Sequence, residues 1–221
     1  MILNVQNLKK SYSQGTRKLE IINDLNLGLE KGSTLAILGQ SGSGKSTLLS
    51  LLSGLDQPDD GKIILDGMDL GSLGESELTD LRAKKIGIIF QNFHLLPHLS
   101  ALENVALSLE ILKMDQPFEV AKKWLSRVGL SSREDHFPDQ LSGGEKQRVA
   151  IARALSISPD LILADEPSGS LDEETGDKVM DLIFGLVREE NSTLILVTHN
   201  KELAKNCEKT VHLHGGKLVE S

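Results

Sequence analysis

An α/β fold with a mixed sheet core, an antiparallel β subdomain and an inserted helical lobe is what this 221-residue sequence predicts. Three observations carry that expectation. Short apolar runs of strand length lie toward both ends, at 34–38, 86–90, 161–164 and 193–198. Helical signals gather in the middle, between Gln91 and about Pro159. Two of the strand runs end in something other than an ordinary turn: the first in a glycine-rich loop, the third in a pair of acids.

Each element follows from its residues. At the N-terminus the chain alternates, with Ile2, Asn4 and Gln6 toward one side and Leu3, Val5 and Leu8 nearer the other. Residues 34–38 read as a buried strand closed by Gly39. Residues 45–53 favour helix, and Gly54 stands where a C-cap glycine belongs. Ile63-Ile64-Leu65 followed by Asp66-Gly67 predicts a strand and turn, and residues 86–90 a further strand. Ser100 and Glu103 spell a capping box ahead of a helix over 105–112, while Asp115 and Pro117 start another that ends near Gly129. A second capping box, Ser142 with Glu145, precedes a helix over 145–155. Then come a strand at 161–164, a helix over 172–190, a strand at 193–198 and a closing hairpin about Gly215-Gly216. The pattern describes one domain, its core at about 1–91 and 160–221 and its helical lobe at about 92–159.

Composition narrows the function classes. Twenty-four Lys and Arg against 32 Asp and Glu leave a net charge of −8, which tilts away from nucleic acid as the main partner. The lone Cys207 allows no internal disulfide framework, suits a reducing compartment and reads as an inert helix residue. The start lacks the pattern of a signal peptide, and no apolar run nears the roughly 18 residues of a membrane span. The expectation is a cytoplasmic chain whose membrane role comes through a partner.

Gly39-Gln40-Ser41-Gly42-Ser43-Gly44-Lys45-Ser46 fills every fixed position of the Walker A pattern. A strand delivers the chain to a glycine turn whose backbone N–H groups can wrap phosphate oxygens. The helix beginning at Lys45 aims its positive end at the same anion. Lys45 supplies a point charge for the β- and γ-phosphates, Ser46 a hydroxyl for Mg²⁺, and Thr47 follows it into the nucleotide site. A merely flexible surface loop explains neither the strand before it, the helix after it, nor the Lys-Ser pair.

Leu161-Ile162-Leu163-Ala164-Asp165-Glu166 ends a strand in two carboxylates. By itself an acidic turn after a buried strand is the commoner reading. With a Walker A loop on the same chain the odds reverse: Asp165 holds Mg²⁺, and Glu166 orients and deprotonates the attacking water. Leu141-Ser142-Gly143-Gly144-Glu145-Lys146-Gln147-Arg148 places a hydroxyl and two glycine amides at a helix start, a second anion site in one chain. Capping accounts for Ser142 and Glu145, but not for both glycines.

With these residues the sequence resembles the ABC ATPase family, whose signature is Leu-Ser-Gly-Gly. The resemblance implies a P-loop NTPase fold of RecA-like type, ATP and Mg²⁺ as ligands, and a homodimer formed on ATP binding. In it Ser142, Gly143, Gly144 and Asp172 of one copy meet the nucleotide held by the other. It further implies that Gln91 is the Q-loop glutamine that senses Mg²⁺ and that His199 contacts the γ-phosphate. Ser170-Leu171-Asp172 is then the loop bridging the two sites, and Tyr12 stacks on adenine. Serines at 168 and 170 stand where relatives commonly carry threonine and asparagine or alanine; these are small polar swaps that leave Glu166 intact.

Within the family the sequence is most similar to the lipoprotein-releasing and macrolide-exporting ATPases. That similarity rests on Tyr12-Ser13-Gln14-Gly15, on residues 91–97 and 99–105, and on residues 165–172. It implies a subunit peripheral on the cytoplasmic face of the inner membrane, paired with a separate permease whose coupling helix docks near Gln91 to Leu99. Phe93, Leu95, Leu96 and Leu99 there need a cover, which burial against the helical lobe supplies equally well. Two other classes compete: a soluble ABC ATPase acting on nucleic acid or ribosomes, and a nucleotide-switched regulator of the cell-division type. The chain carries neither the coiled-coil insertion nor the second cassette of the first class, and intact Glu166 weighs against the second. Leu95-Leu96-Pro97 opposes a helix that would align His94 with His98 as metal ligands, His212 and His214 share a strand face with no nearby Cys or acid to complete a zinc set, and Trp124 has the spacing of a core residue with Val120 and Val128.

Overall fold

The computed structural model describes residues 1–15 and 17–220. Two long strands open the chain, β1 (Leu3–Gln14) and β2 (Arg17–Leu29). β3 (Thr34–Leu38), α1 (Lys45–Leu52), β4 (Asp60–Leu65) and the short β5 (Met68–Asp69) follow. α2 (Glu75–Lys85) and β6 (Ile86–Phe90) lead to α3 (Ala101–Ile111), α4 (Pro117–Arg127) and α5 (Gly143–Leu155). Last come β7 (Leu161–Asp165), α6 (Glu173–Glu189), β8 (Thr193–Thr198), α7 (Lys201–Ala204), β9 (Lys209–His214) and β10 (Lys217–Glu220). The class is α/β with mixed strand pairing, and the chain divides into two compact units: Met1–Arg82 with Thr193–Ser221, and Ala83–Ser192.

In the first unit β2, β1, β4 and β5 make an antiparallel sheet in that order. β1 is bulged. Asn7 takes a positive φ of 48°, the register shifts between Val5 and Leu8, and Leu8 returns to the buried side that Leu3 and Val5 occupy. β3 lies between β8 and β9, parallel to both, and β10 is antiparallel to β9. Every residue of β3 and β8 is buried, as continuous apolar runs covered on both faces must be. The registers set Leu38 opposite Thr198 and His212, so Gly39 and His199 leave their strands at the same end.

In the second unit β6 and β7 pair in parallel, with Phe90 opposite Asp165, so Gln91 and Glu166 also leave side by side. α3 and α5 open with the two expected capping boxes. Trp124 and Val128 are buried and Val120 half-buried, as the helical spacing predicts. The Arg127 guanidinium stacks 4.1 Å from the Trp124 ring and also reaches Glu189 at 2.8 Å and Glu190 at 2.5 Å.

Several details differ from the sequence expectation. The N-cap position of α4 is Gln116, in the left-handed region at φ 52° and making no side-chain cap bond, and not Asp115; Pro117 does occupy its first turn. α5 begins at Gly143, two residues before the expected Glu145, because Ser142 takes the N-cap and places both glycines in the first turn. Cys207 lies in the bend after α7 and not in a helix. Its burial agrees with inertness, pushing the thiol up to about 12. β2, β5, α2 and α7 have no counterpart in the pattern-based reading.

Candidate functional site

In the first unit the loop after β3 folds as the Walker A spacing requires. Gly42 and Gly44 sit at φ 78° and 98°, where side chains are strained, and a Cβ on Gly44 would stand 2.7 Å from the Ile21 methyl. α1 starts with Gly44 at its N-cap and no side chain capping it. Leu48 N donates to Gly44 O at 2.8 Å, so the first turn of α1 closes on its N-cap carbonyl and the positive end of the helix faces the glycine turn. Lys45 is buried, its ammonium donating to the carbonyls of Gly39 at 2.9 Å and Gln40 at 3.1 Å. Gln40, Ser41, Gly42 and Ser46 are exposed, while the Ser43 hydroxyl is buried without a hydrogen-bond partner among the described residues. An uncapped helix end, a buried cation and an orphaned hydroxyl together fit an anionic oxygen ligand.

Tyr12 projects from β1 in the same unit, 43% exposed. Its phenol donates to Asp56 Oδ2 at 2.6 Å. That bond, ahead of burial, holds its pKa above the ordinary phenol value, with Thr47 and Lys10 acting the other way. His199 is exposed, just past the end of β8.

The second unit gathers Gln91, Asp165, Glu166 and the loop to Asp172. Glu166, half-buried, adopts φ 45°, an uncommon conformation for a glutamate. Its carbonyl accepts Gly169 N at 2.9 Å. Ser170 Oγ donates to the Gln91 carbonyl at 2.9 Å, and a Cβ on Gly169 would meet Gln91 Nε2 at 2.9 Å. The segment at Gln91 and the loop after Glu166 are therefore in direct contact.

The signature residues sit nearby in the same unit. Ser142 Oγ accepts Glu145 N at 3.3 Å, and Glu145 Oε2 accepts Ser142 N at 2.8 Å. Arg133 Nε donates to the other Glu145 oxygen at 2.9 Å. With the Ser142 amide as the larger influence, these bonds lower the Glu145 carboxyl to about 2. The N–H groups of Gly143 and Gly144 precede the first helical bond, Lys146 N to Ser142 O. A Cβ on Gly144 would stand 2.6 Å from the Thr175 methyl, so the start of α6 forbids a side chain there. Asp172, exposed, accepts Thr175 N at 3.0 Å and caps α6. The bond keeps its carboxyl below the ordinary range.

Other contributors lie outside the motifs. Buried Asn104 accepts Leu96 N at 2.8 Å and donates to the carbonyls of Leu96, Leu99 and Ser100. Arg153 donates to the carbonyls of Phe93 at 2.8 Å and His94 at 2.6 Å. Together they clamp the 91–99 segment, in which Phe93 and His94 have positive φ and Phe93, Leu95, Leu96 and Leu99 are half-buried. Beside it, β6, α3 and α5 border a groove of about 320 Å³, with Ile86, Ile88, Phe90, Ile111 and Arg153 in its walls. Asn104 was detectable as a polar residue inside an apolar helical stripe; Asp56 and Arg153 carried no local signal. The described residues hold no cluster of His, Cys, Asp and Glu able to bind a metal, and His94 and His98 are exposed.

A buried strand, a glycine turn and an uncapped helix led by lysine define a P-loop nucleotide-binding protein. Residues 22–169 match the family model described as ABC transporter. The chain is 48% identical over 222 residues to the uncharacterized ABC transporter ATP-binding protein YbbA of Escherichia coli (strain K12), covering 99% of this chain and 97% of that one. It is 46% identical over 220 residues to the lipoprotein-releasing system ATP-binding protein LolD of Legionella pneumophila (strain Paris), covering 99% and 97%. Among solved structures, the dimeric post-hydrolysis state of the ATP-binding cassette MJ0796 bound to ADP and Pi matches with a TM-score of 0.90 and 39% identity, covering 98% and 96%. The chain belongs to the ABC transporter family and is an ATP-binding, ATP-hydrolysing subunit.

Proposed function

We propose that this chain drives a bacterial ABC complex that exports or extracts lipoprotein, peptide or drug, or transmits force, through a separate permease. ATP lies between two head-to-tail copies. The observation that carries the dimer is the start of α5. Its Ser142 and Glu145 satisfy each other, Arg133 occupies the spare carboxylate oxygen, and Gly143 and Gly144 keep free of side chains a helix end that offers N–H groups to an anion. One chain thus carries two glycine-lined helix starts, and a second copy supplies the trans one. The kinship to the lipoprotein-releasing relative supports the substrate class.

In this reading Gly39, Gln40, Ser41, Gly42, Ser43, Gly44, Lys45, Ser46 and Thr47 hold the phosphates and Tyr12 stacks on adenine. Glu166 takes the proton of the attacking water, His199 contacts the γ-phosphate, and Asp172 of the second copy borders the nucleotide. Ser46, Gln91 and Asp165 offer hydroxyl, amide and carboxylate oxygens, the hard donors that suit Mg²⁺. Bound there, Mg²⁺ supplies positive charge against the phosphates. The segment 91–99 and the groove beside β6 receive the permease's coupling helix. No described helix is long and apolar enough to cross a membrane, and the subunit sits on the cytoplasmic face of the inner membrane through that partner. Nucleic acid is not its partner.

Glu166→Gln tests the central assignment. Turnover is expected to fall at least about 10²-fold, while an ATP-dependent dimer accumulates in light scattering. Unchanged turnover sinks the role of Glu166, and a variant monomeric at saturating ATP sinks the head-to-tail site. Detergent purification from membranes is expected to recover a permease; recovery of ribosomes or DNA overturns the transport reading.

A further inference from the structure

We propose that Asp56, braced by Lys10, is the positioning residue that sets Tyr12 as the adenine platform, so that nucleobase affinity depends on a carboxylate outside every nucleotide motif. The inference rests on the reading of Tyr12 as that platform.

Three hydrogen bonds meet at this carboxylate, and further contacts brace its surroundings. Asp56 Oδ2 accepts the Tyr12 phenol at 2.6 Å. Asp56 Oδ1 accepts the Lys10 ammonium at 2.7 Å and the Gln57 amide at 2.7 Å. The Lys10 ammonium also donates to the Gln57 carbonyl at 2.7 Å and lies over the Tyr12 ring, 5.1 Å from its centroid. Asp56 itself is tied to the end of α1, its amide donating to Ser50 O at 3.1 Å in the turn that Gly54 opens at φ 66°. Burial alone would raise the Asp56 carboxyl; the bonds from Lys10, Tyr12 and Gln57 outweigh it, and the group stays ionised well below neutral pH.

The arrangement does more than join β1 to α1. The Lys10–Asp56 pair could do that alone, with Lys10 largely covered. The second carboxylate oxygen is aimed instead at an aromatic residue that remains 43% exposed. An exposed tyrosine without that bond samples several rotamers, and a base that stacks on it must order it first. Anchoring the hydroxyl removes that ordering, and the cation near one face leaves the other for a base. Asp56 lies in the bend after α1 and is tied to it through Ser50 O, so the anchor of the β1 platform connects to the helix whose N-terminus closes the phosphate loop.

Calorimetry on the full chain with ATP and with inorganic tripolyphosphate tests this, alongside the melting temperature of each variant. Tyr12→Ala is expected to weaken ATP and leave tripolyphosphate unchanged. Asp56→Ala and Tyr12→Phe both delete the phenol–carboxylate bond, Tyr12→Phe removing the Thr47 interaction with the phenol as well, and each is expected to weaken ATP about tenfold with tripolyphosphate within about twofold. The double variant is expected to be no weaker than either single one. If Tyr12→Ala changes the ratio of the two affinities and Tyr12→Phe and Asp56→Ala do not, the positioning role is overturned while the platform stands. If Tyr12→Ala leaves the ratio unchanged, the platform reading fails and the proposal with it. Parallel loss of both ligands in Asp56→Ala marks a purely structural pair and overturns the role. Should Asp56→Ala not fold, Tyr12→Phe still decides the matter.

Discussion

Glu145 shows how much one side chain does at a helix start. Its oxygens are divided between the Ser142 amide and Arg133, and its carboxyl is lowered from 4.5 to about 2. A group whose folded value is depressed stabilises the protein fully above its unfolded value and loses that contribution as pH falls through the folded one. The window is therefore about pH 4.5 down to about 2. Glu145→Gln keeps a side-chain acceptor for the Ser142 amide but does not titrate. The stability difference between wild type and this variant is expected to shrink across that window, read from denaturant unfolding at stepped pH. A constant difference counts against the carboxylate as the source. Capping was legible in the sequence because Ser142 and Glu145 have the required spacing. Arg133 was not, because its contact is made by the fold and no periodicity connects residues 133 and 145.

Among the elements, the 91–99 segment is held by two side chains from elsewhere. Asn104 alone meets four backbone groups from inside α3, where it is buried. Asn104→Ala removes the side-chain partner of the Leu96 amide and the Leu99 carbonyl, while the Leu96 and Ser100 carbonyls keep the backbone amides of Leu99 and residue 104, at a cost of about 2–4 kcal/mol. The variant is expected to show an earlier urea midpoint and faster hydrogen exchange at the Leu96 amide; unchanged protection there would argue that α3 does not clamp the loop. Elements with strong local chemistry agreed with expectation: β3, β6, β8 and both capping boxes. β2 escaped because its buried residues Ile22, Leu25 and Leu29 are spaced three and four apart, a helical interval. The register shifts between β1 and β2, with Asp24 at φ 54°, make a strand out of that spacing. α2 escaped for the opposite reason, burying only Leu78 and Leu81 and so showing almost no apolar stripe.

For the whole molecule, ligand linkage is the simplest test of the phosphate loop. ATP at 100 times its dissociation constant stabilises the native state by about 2.7 kcal/mol, a melting shift of roughly 5–10 °C for a chain of this size. Lys45→Ala is expected to abolish most of that shift, measured against the variant's own melting temperature without nucleotide. An undiminished shift would remove Lys45 from the phosphate site. The sequence by itself determined the local patterns: which loop has the Walker A spacing, which strand ends in acids, which helix start carries serine and two glycines, and the ABC resemblance that the comparisons confirm. These are local patterns, written in adjacent residues because backbone N–H groups and caps are local objects. Only the tertiary structure decided what holds them in place: Asp56 under Tyr12, Arg133 on Glu145, Thr175 against Gly144, and Asn104 and Arg153 on the loop after Gln91. Each of those contacts joins residues 8 to 60 positions apart, a separation at which sequence pattern carries no signal and the packing of elements alone sets the partner.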